Sequence, residues 1–208
     1  MDTQQAYNLW ASQYDNNQNK TRDLEGEALK QTLSSFYFGN VLEIGCGTGK
    51  NTEWLITKAK HVTAVDLSEE MLARAKVKVN SEQVEFIQAD INQTWMFANQ
   101  TFDLATCSLV LEHIENLEAV FQKVFAVLKP NGYCYVGELH PFKQYLGTKA
   151  RFDTEAGRQI VDCYTHNISD FVKSAEAAGL ALATLNEHFD DNSQAAIPRI
   201  LTMVFTKQ

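Results

Sequence analysis

The stretch Val41-Leu42-Glu43-Ile44-Gly45-Cys46-Gly47-Thr48-Gly49 decides how this chain is read. A short, mostly apolar run reads as a strand, and three glycines at alternate positions follow it. Glycine lets a backbone turn sharply and approach a ligand where any side chain would intervene. A nucleotide-binding loop is the first expectation, yet the dinucleotide fingerprint G-x-G-x-x-G needs glycine at position 50, where Lys50 stands. The spacing G-x-x-x-x-G-K-[ST] cannot be laid on these residues either. Glu43, two positions before the first glycine, would repel a pyrophosphate and suits a ligand carrying an ammonium group.

Outward from this loop, apolar runs and helical stretches alternate. Residues 52–60 read as a helix with Trp54, Leu55 and Ala59 on one side, and 61–65 as the next strand. Ser68 is placed to cap a helix through Met71, Leu72, Ala75 and Val79, with Glu69 and Glu70 in the first turn, where the helix dipole favours acids. Strands follow at 84–89 and 101–108, then a helix over 117–128 that Lys129-Pro130-Asn131-Gly132 stops, then a strand at 132–139. A helix over 169–178 ends at Gly179, before strands at 180–187 and 200–206. Strands separated by single helices imply crossovers, and crossovers imply a mostly parallel sheet covered on both faces. The last two strands have only the loop 190–199 between them, so they are expected to pair antiparallel at one edge.

Composition narrows the class. The chain has 208 residues, enough for one domain with a sizeable core, and 26 acidic against 18 basic residues give a formal net charge of −8. That balance argues against a duplex nucleic acid as partner, because phosphate attraction needs a basic face. The longest apolar runs, at 125–128 and 180–185, fall far short of the ~20 residues that span a bilayer, so no membrane insertion is expected. The first residues lack the basic region and apolar core of a signal peptide, and the cytoplasm is the expected location. Cys46, Cys107, Cys134 and Cys163 form no C-x-x-C pair, and three of them fall in strands or at a strand end, which suits buried reduced thiols. No metal is expected, since no His, Cys or acid cluster has ligand spacing along the chain.

In an open sheet of this kind, ligands bind outside the carboxyl ends of the strands. Asp66 stands at the end of the second strand, where a carboxylate can accept from both ribose hydroxyls. Asp90 ends the third, placed to accept from an adenine amino group with Ile91 beside it to pack on the ring. Together with Glu43 these residues describe an adenosyl ligand with a positively charged tail.

As an ordered set, the pattern resembles the class I S-adenosylmethionine-dependent methyltransferases, in the small-molecule branch with a methyltransferase-11/25-like domain. Glu43-x-Gly45-x-Gly47-x-Gly49 is similar to that family's first motif, Asp66-Leu67-Ser68 with Met71-Leu72 to its second, and Ala89-Asp90-Ile91 to its third. Phe102-Asp103-Leu104 through Leu111-Glu112-His113 and Leu128-Lys129-Pro130-x-Gly132 resemble the fourth and fifth, so the likeness spans roughly 36–139. It implies an α/β fold: a three-layer, Rossmann-like, doubly wound, mostly parallel seven-stranded sheet with an antiparallel last strand pair and N-terminal cap helices. One domain over 1–208 is expected, divided into cap helices (1–35), a cofactor-binding core (36–139), a substrate lid (140–166) and a C-terminal helix with the strand pair (167–208).

The resemblance further implies S-adenosyl-L-methionine as cofactor and S-adenosyl-L-homocysteine as product. Glu43, Gly45, Cys46, Gly47 and Gly49 would hold the methionine end, and Asp66 the ribose. Leu67 and Met71 would line the adenine, Asp90 and Ile91 would hold the base, Ser108 would close over the sulfonium side, and Tyr14 would cap the cofactor from the N-terminal helix. The implied reaction is methyl transfer to an O, N or C nucleophile of a small molecule, by a monomer or homodimer. A cofactor-binding or regulatory protein without catalysis is the second reading, because every residue so identified binds cofactor.

For the acceptor, the sequence offers less. His140 ends the fifth strand, and Pro141 biases it toward an extended backbone that would project its ring into the crevice, which makes it the candidate base. His113 reads as a locally packed histidine. Phe142, Tyr145 and Phe152, interleaved with Lys143, Lys149, Arg151 and Arg158, read as a lid, and His166 is a further candidate for the same pocket. Phe142, Tyr145 and His166 are therefore the expected substrate contacts.

Overall fold

The computed structural model describes residues 2–16, 18–98, 101–154, 157–190 and 197–208. Two helices, α1 (Thr3–Trp10) and α2 (Lys20–Leu33), precede the sheet. Then come β1 (Asn40–Ile44), α3 (Lys50–Leu55), β2 (His61–Asp66), α4 (Glu69–Lys78), β3 (Val84–Gln88) and β4 (Phe102–Ser108). A 3-10 turn at Leu111–His113 leads to α5 (Leu117–Val127), β5 (Leu128–Leu139) and the short α6 (Pro141–Tyr145). The chain continues through β6 (Arg151–Thr154), β7 (Gly157–Ile160), α7 (Ile168–Ala177), β8 (Leu180–His188) and β9 (Ile200–Lys207).

Seven strands form one sheet in the order β3-β2-β1-β4-β5-β9-β8. The β1–β2, β1–β4, β2–β3 and β4–β5 pairs are parallel, and β9 runs antiparallel between β5 and β8, as the short loop before it requires. Alternation along the strands sends side chains to two cores. Leu42, Ile44, Cys107, Val136 and Phe205 pack with Phe121 and Val124 of α5 and Phe171 of α7. Val41, Val62, Leu104, Tyr135 and Val204 pack with Leu29 and Leu33 of α2 and Leu55 of α3. All four cysteines are free, and three are buried. Among the described residues no helix is long and apolar enough to cross a membrane.

Several boundaries have visible local causes. Asn19 caps α2 by accepting from the Thr21 and Arg22 N–H groups, and Ser68 caps α4 by accepting from the Met71 N–H at 3.1 Å. The stop at 129–132 is a tight irregularity at the start of β5, with Asn131 at φ +61° and a register shift in the pairing with β4. The 140–166 stretch differs from a plain lid loop. It carries α6 and a two-stranded antiparallel hairpin, β6–β7, whose turn at 155–156 lies outside the described residues, as does 191–196 of the loop before β9. Phe152 of the hairpin stacks on Trp10 of α1 with ring centroids 5.1 Å apart, so the N-terminal helix and this hairpin form one layer.

Candidate functional site

The carboxyl ends of β1, β2, β3 and β4 open into a cleft of about 230 Å³, roofed by α1. Gly45, Gly47, Asp66, Leu67, Met71, Asp90, Ile91 and Ser108 line it, and Tyr14 reaches it from the N-terminal segment. A smaller cavity of about 50 Å³ lies beside it, lined by Glu43 and Cys46 from the loop and by Arg22 and Glu25 from α2. Tyr14, Gly45, Gly47 and Ser108 line both, so the two spaces meet at the glycine loop. Gly49 lines neither and instead caps α3 in a left-handed conformation, at φ +82°.

The loop is held from below. The Gly45 and Cys46 N–H groups donate to the Val65 carbonyl at 2.8 and 3.0 Å, which carries β1 past its end toward β2. Gly45 sits at φ +74°, and a Cβ there would lie 2.8 Å from the Val110 side chain. Gly47, at φ +53°, has no heavy atom within 4 Å of the place its Cβ would occupy. Its bare backbone therefore faces open cavity, the arrangement expected where a ligand approaches the main chain.

Asp66 is tied into that loop. Its Oδ2 accepts from the Gly47 N–H and its Oδ1 from the Ser68 N–H, both at 2.8 Å. A carboxylate offers about four acceptor positions, so these backbone donors do not fill it. Burial raises its pKa, with the backbone donors opposing. Asp90 forms a local turn with its Oδ1 on the Asn92 N–H at 2.8 Å. Lys123 of α5 fixes the same turn by donating to the carbonyls of Ile91, Asn92 and Gln93 at 2.9, 2.8 and 2.8 Å.

Tyr7, Val110, His113 and Ile114 also line the cleft. The His113 ring lies between two oxygens: Nδ1 is 2.9 Å from the Asp162 carbonyl and Nε2 is 2.8 Å from the Tyr7 hydroxyl. A carbonyl only accepts, so the proton is on Nδ1, Nε2 is the acceptor, and Tyr7 donates to it. The turn that carries His113 is held by buried Glu138, whose Oε1 accepts from the Val110 and Leu111 N–H groups at 3.0 and 2.8 Å. That clamp holds Leu109 at φ +53°, a conformation costly for a branched side chain.

The sequence gives Tyr7, Arg22, Glu25 and Glu138 no individual role, although the first three lie in the expected cap helices, and His113 closes the fourth motif without one. His113 was expected to be locally packed. It instead meets the first helix across the cleft, and only the fold reveals that pairing.

His140 does not reach the cleft. It is fully buried at the start of α6, where Nδ1 accepts from the Phe142 N–H at 3.2 Å and Nε2 lies 3.0 Å from a Glu187 oxygen. Pro141 does leave His140 extended, with ψ at 135°, but the ring turns back to cap the short helix. Burial lowers its pKa while Glu187 works against that shift. Phe142 and Tyr145 line neither cavity; both are exposed, and the Tyr145 hydroxyl bonds Asn167 Oδ1 at 2.5 Å. His166 is buried against the Ile114 carbonyl at 2.7 Å on the far side of that segment. None of these three lines the cleft, whose wall on this side is made by residues of α1 and of the turn after β4.

Ligand spacing for a metal, absent along the sequence, does arise in space. Glu112, His113 and Cys163 offer ligand atoms within 4.8 Å of one another, a grouping found once among the described residues. Both nitrogens of His113 are engaged, so a metal there would have to displace Tyr7 or the Asp162 carbonyl.

Strand order, the reversed last strand, the glycine loop after β1 and the acids after β2 and β3 define the class I S-adenosylmethionine-dependent methyltransferase fold. Residues 42–136 match the sequence model of a family described as a methyltransferase domain. The chain is 30% identical over 141 residues to a ubiquinone biosynthesis O-methyltransferase of Dechloromonas aromatica, covering 66% of this chain and 60% of that protein. It is 31% identical over 135 residues to a malonyl-[acyl-carrier protein] O-methyltransferase of Bacillus anthracis, covering 62% of this chain and 49% of that protein. The chain therefore spans about half to three fifths of the length of these relatives. Among solved structures, the N-methyltransferase NodS of Bradyrhizobium japonicum bound to S-adenosyl-L-homocysteine superposes with a TM-score of 0.73 at 19% identity, over 100% of this chain and 99% of that one. A DhpI complex superposes with a TM-score of 0.76 at 22% identity, over 97% and 94%. At these identities the likeness to solved structures is one of fold.

Proposed function

We propose that this protein transfers a methyl group from S-adenosyl-L-methionine to an oxygen, nitrogen or carbon nucleophile of a small molecule, with S-adenosyl-L-homocysteine as product. The observation that carries the reading is the convergence of the glycine loop, Asp66 and Asp90 on one cleft that continues past Ser108 to Tyr7 and His113. In this reading Asp66 receives the ribose hydroxyls. Leu67, Met71 and Ile91 enclose the adenine, with Asp90 at its edge. Gly45, Cys46, Gly47 and Glu43 surround the amino-acid end, and Tyr14 covers it.

Bound there, S-adenosyl-L-methionine supplies an electrophilic methyl group on a sulfonium. The protein's part is mainly alignment, worth up to ~7–11 kcal/mol for well-oriented reactants. An acceptor beside Tyr7 would meet a hydroxyl whose own proton is already directed at His113 Nε2. A hydroxyl or ammonium on the acceptor can then pass its proton to the Tyr7 oxygen as the phenolic proton moves to His113. Buried Glu112, with an oxygen 4.0 Å from Nε2, lies close enough to stabilise the imidazolium so formed. A carbon nucleophile needs no such path.

Calorimetry with S-adenosyl-L-homocysteine and with NAD tests the first part: binding of the former in preference is expected, and its absence would sink the reading. Transfer of labelled methyl from S-adenosyl-L-methionine into a metabolite extract separates a transferase from a cofactor-binding protein without catalysis.

A further inference from the structure

We propose that Glu25 and Glu43 together receive the ammonium group of the cofactor's amino-acid end, and that the pair gives up a proton when that group binds. The inference rests on the cofactor reading above and adds to it a second carboxylate and a proton.

Glu25 comes from the middle of α2 and Glu43 from β1, yet both line the small cavity beside the glycine loop, and they are 2% and 3% exposed. Each is fixed by neutral donors. Glu25 accepts from the Tyr135 hydroxyl at 3.1 Å and from Asn51 Nδ2 at 3.0 Å, and Glu43 accepts from the Thr52 hydroxyl at 2.6 Å. The chain makes room for Glu25: a Cβ on Gly137 would lie 2.5 Å from its Oε1. A carboxylate on the first helices, outside every motif, is thus built into the wall of the site.

Two neighbouring buried carboxylates cannot both ionise cheaply without a cation. Burial, then repulsion from Glu25 and Asp66, pushes the Glu43 pKa up to about 8, and burial raises Glu25 as well. Other charged or titratable groups also face this pocket. Arg22 and Lys50 line the same cavity, with Lys50 Nζ on the Arg22 carbonyl at 2.8 Å and on Asp23 at 3.1 Å. Tyr14, Tyr135 and Cys46 stay neutral, since burial raises all three. Two acids within and two cations beside them match a zwitterionic α-amino acid, whose carboxylate would turn toward Arg22 and Lys50. With the ammonium in place, both carboxylates are favoured as anions and the shared proton leaves to solvent.

The test is calorimetry of S-adenosyl-L-homocysteine binding at about pH 7 in phosphate and in Tris, whose protonation enthalpies differ. Release approaching one proton per ligand is expected, with affinity rising up to about tenfold per pH unit between about pH 6 and 7, while the ligand's ammonium stays charged. 5′-Methylthioadenosine, which lacks the amino-acid end, should bind with the same enthalpy in both buffers. Glu25→Gln should reduce the release and flatten the pH dependence. Should that variant fail to fold, the two ligands on the wild-type protein decide the matter alone. Equal enthalpies for S-adenosyl-L-homocysteine in the two buffers would overturn the proposal, as would equal proton release with 5′-methylthioadenosine, which would place the proton at the adenosine end. Failure of S-adenosyl-L-homocysteine to bind at all would instead remove the cofactor reading, and this inference with it.

Discussion

At one end of the cleft, Gly45, Gly47, Asp66, Leu67, Asp90 and Ile91 all stand within the last or first residues of strand ends that the parallel sheet sets side by side. Elsewhere in its wall, Tyr7 meets His113 across 106 residues of chain, and His113 in turn meets the Asp162 carbonyl. The first region is a local construction repeated strand by strand, so each element carries its own signature. The second is assembled by tertiary packing, with α1 tied down by Gln4 to the Leu67 carbonyl and by Asn8 to Ser68, and with Trp10 stacked on the hairpin. In the proposed reading the cofactor sits in the fixed cradle and the acceptor beside parts whose pairing the sheet does not dictate.

The sharpest way to break this contrast is to spoil the cradle at its glycine loop. Gly45→Val places a β-branched residue at φ +74° with its Cβ 2.8 Å from Val110, in the loop and in the turn that faces it. S-Adenosyl-L-homocysteine affinity should fall about 100-fold or more, equivalent to about 2.7 kcal/mol. Gly147→Ala, at φ +86° in open space outside the cleft, should leave affinity within about twofold, since backbone strain alone acts on stability. Equal losses in the two variants would show that the cradle is not where the cofactor sits.

The reverse experiment works on Tyr7 and His113. Tyr7→Phe and His113→Gln each remove one step of the proton path, and methyl transfer into a metabolite extract should drop by about 10² to 10⁴-fold if the acceptor is a hydroxyl or ammonium. Affinity for S-adenosyl-L-homocysteine should change by about threefold or less, measured by calorimetry, because a single neutral hydrogen bond contributes about 1 kcal/mol or less to neighbouring order. Retained transfer in both variants would point to an acceptor that needs no base.

Legibility followed the same division. The succession of strands and helices, the antiparallel last pair and the acids at the strand ends could be read because alternation, capping and glycine spacing are local signals. Glu43 was legible for the same reason, standing two residues before the loop. Glu25 was not, because nothing in 20–33 marks one acid of a helix as the one that turns inward; the sign is Gly137, more than a hundred residues away, whose missing side chain leaves it space. His140 misled because its position at a strand end was right and its rotamer was not visible: the free Phe142 N–H at the start of α6 takes the ring. The place of the hairpin β6–β7 was unreadable because Phe152 is buried against Trp10, a partner more than a hundred residues away in the chain.

A smaller effect concerns stability rather than binding. Glu43 has a folded pKa raised to about 8, far above its unfolded value near ~4.3. Its protonated form is what the free fold tolerates, so this contribution is whole below about pH 4 and is lost progressively as pH rises from there through about 8. Glu43→Gln mimics the protonated acid. The ligand-free variant should melt above the wild type at pH 9, by a smaller margin at pH 6 and close to it near pH 4, at roughly 2–4 °C per kcal/mol for a chain of this size. A constant difference across that range would mean that the gain comes from packing and not from the charge.

The smallest expected effect separates the strand-end histidine from the one in the cleft. His140 is held neutral by burial, with a folded pKa below its unfolded value near ~6.5, so its contribution is present above that pH and fades as pH falls toward the folded value. His140→Ala removes the cap on the Phe142 N–H and the contact with Glu187, and should cost about 1 kcal/mol of stability at pH 7.5. Denaturation at about pH 5 should show a smaller gap between variant and wild type, because the buried ring is by then itself a liability. Affinity for S-adenosyl-L-homocysteine and methyl transfer should both stay within about twofold of the wild type, since the ring lines neither cavity. If transfer instead fell with affinity and melting temperature intact, the proton would leave by His140, and the acceptor would have to approach from the α6 side rather than along α1.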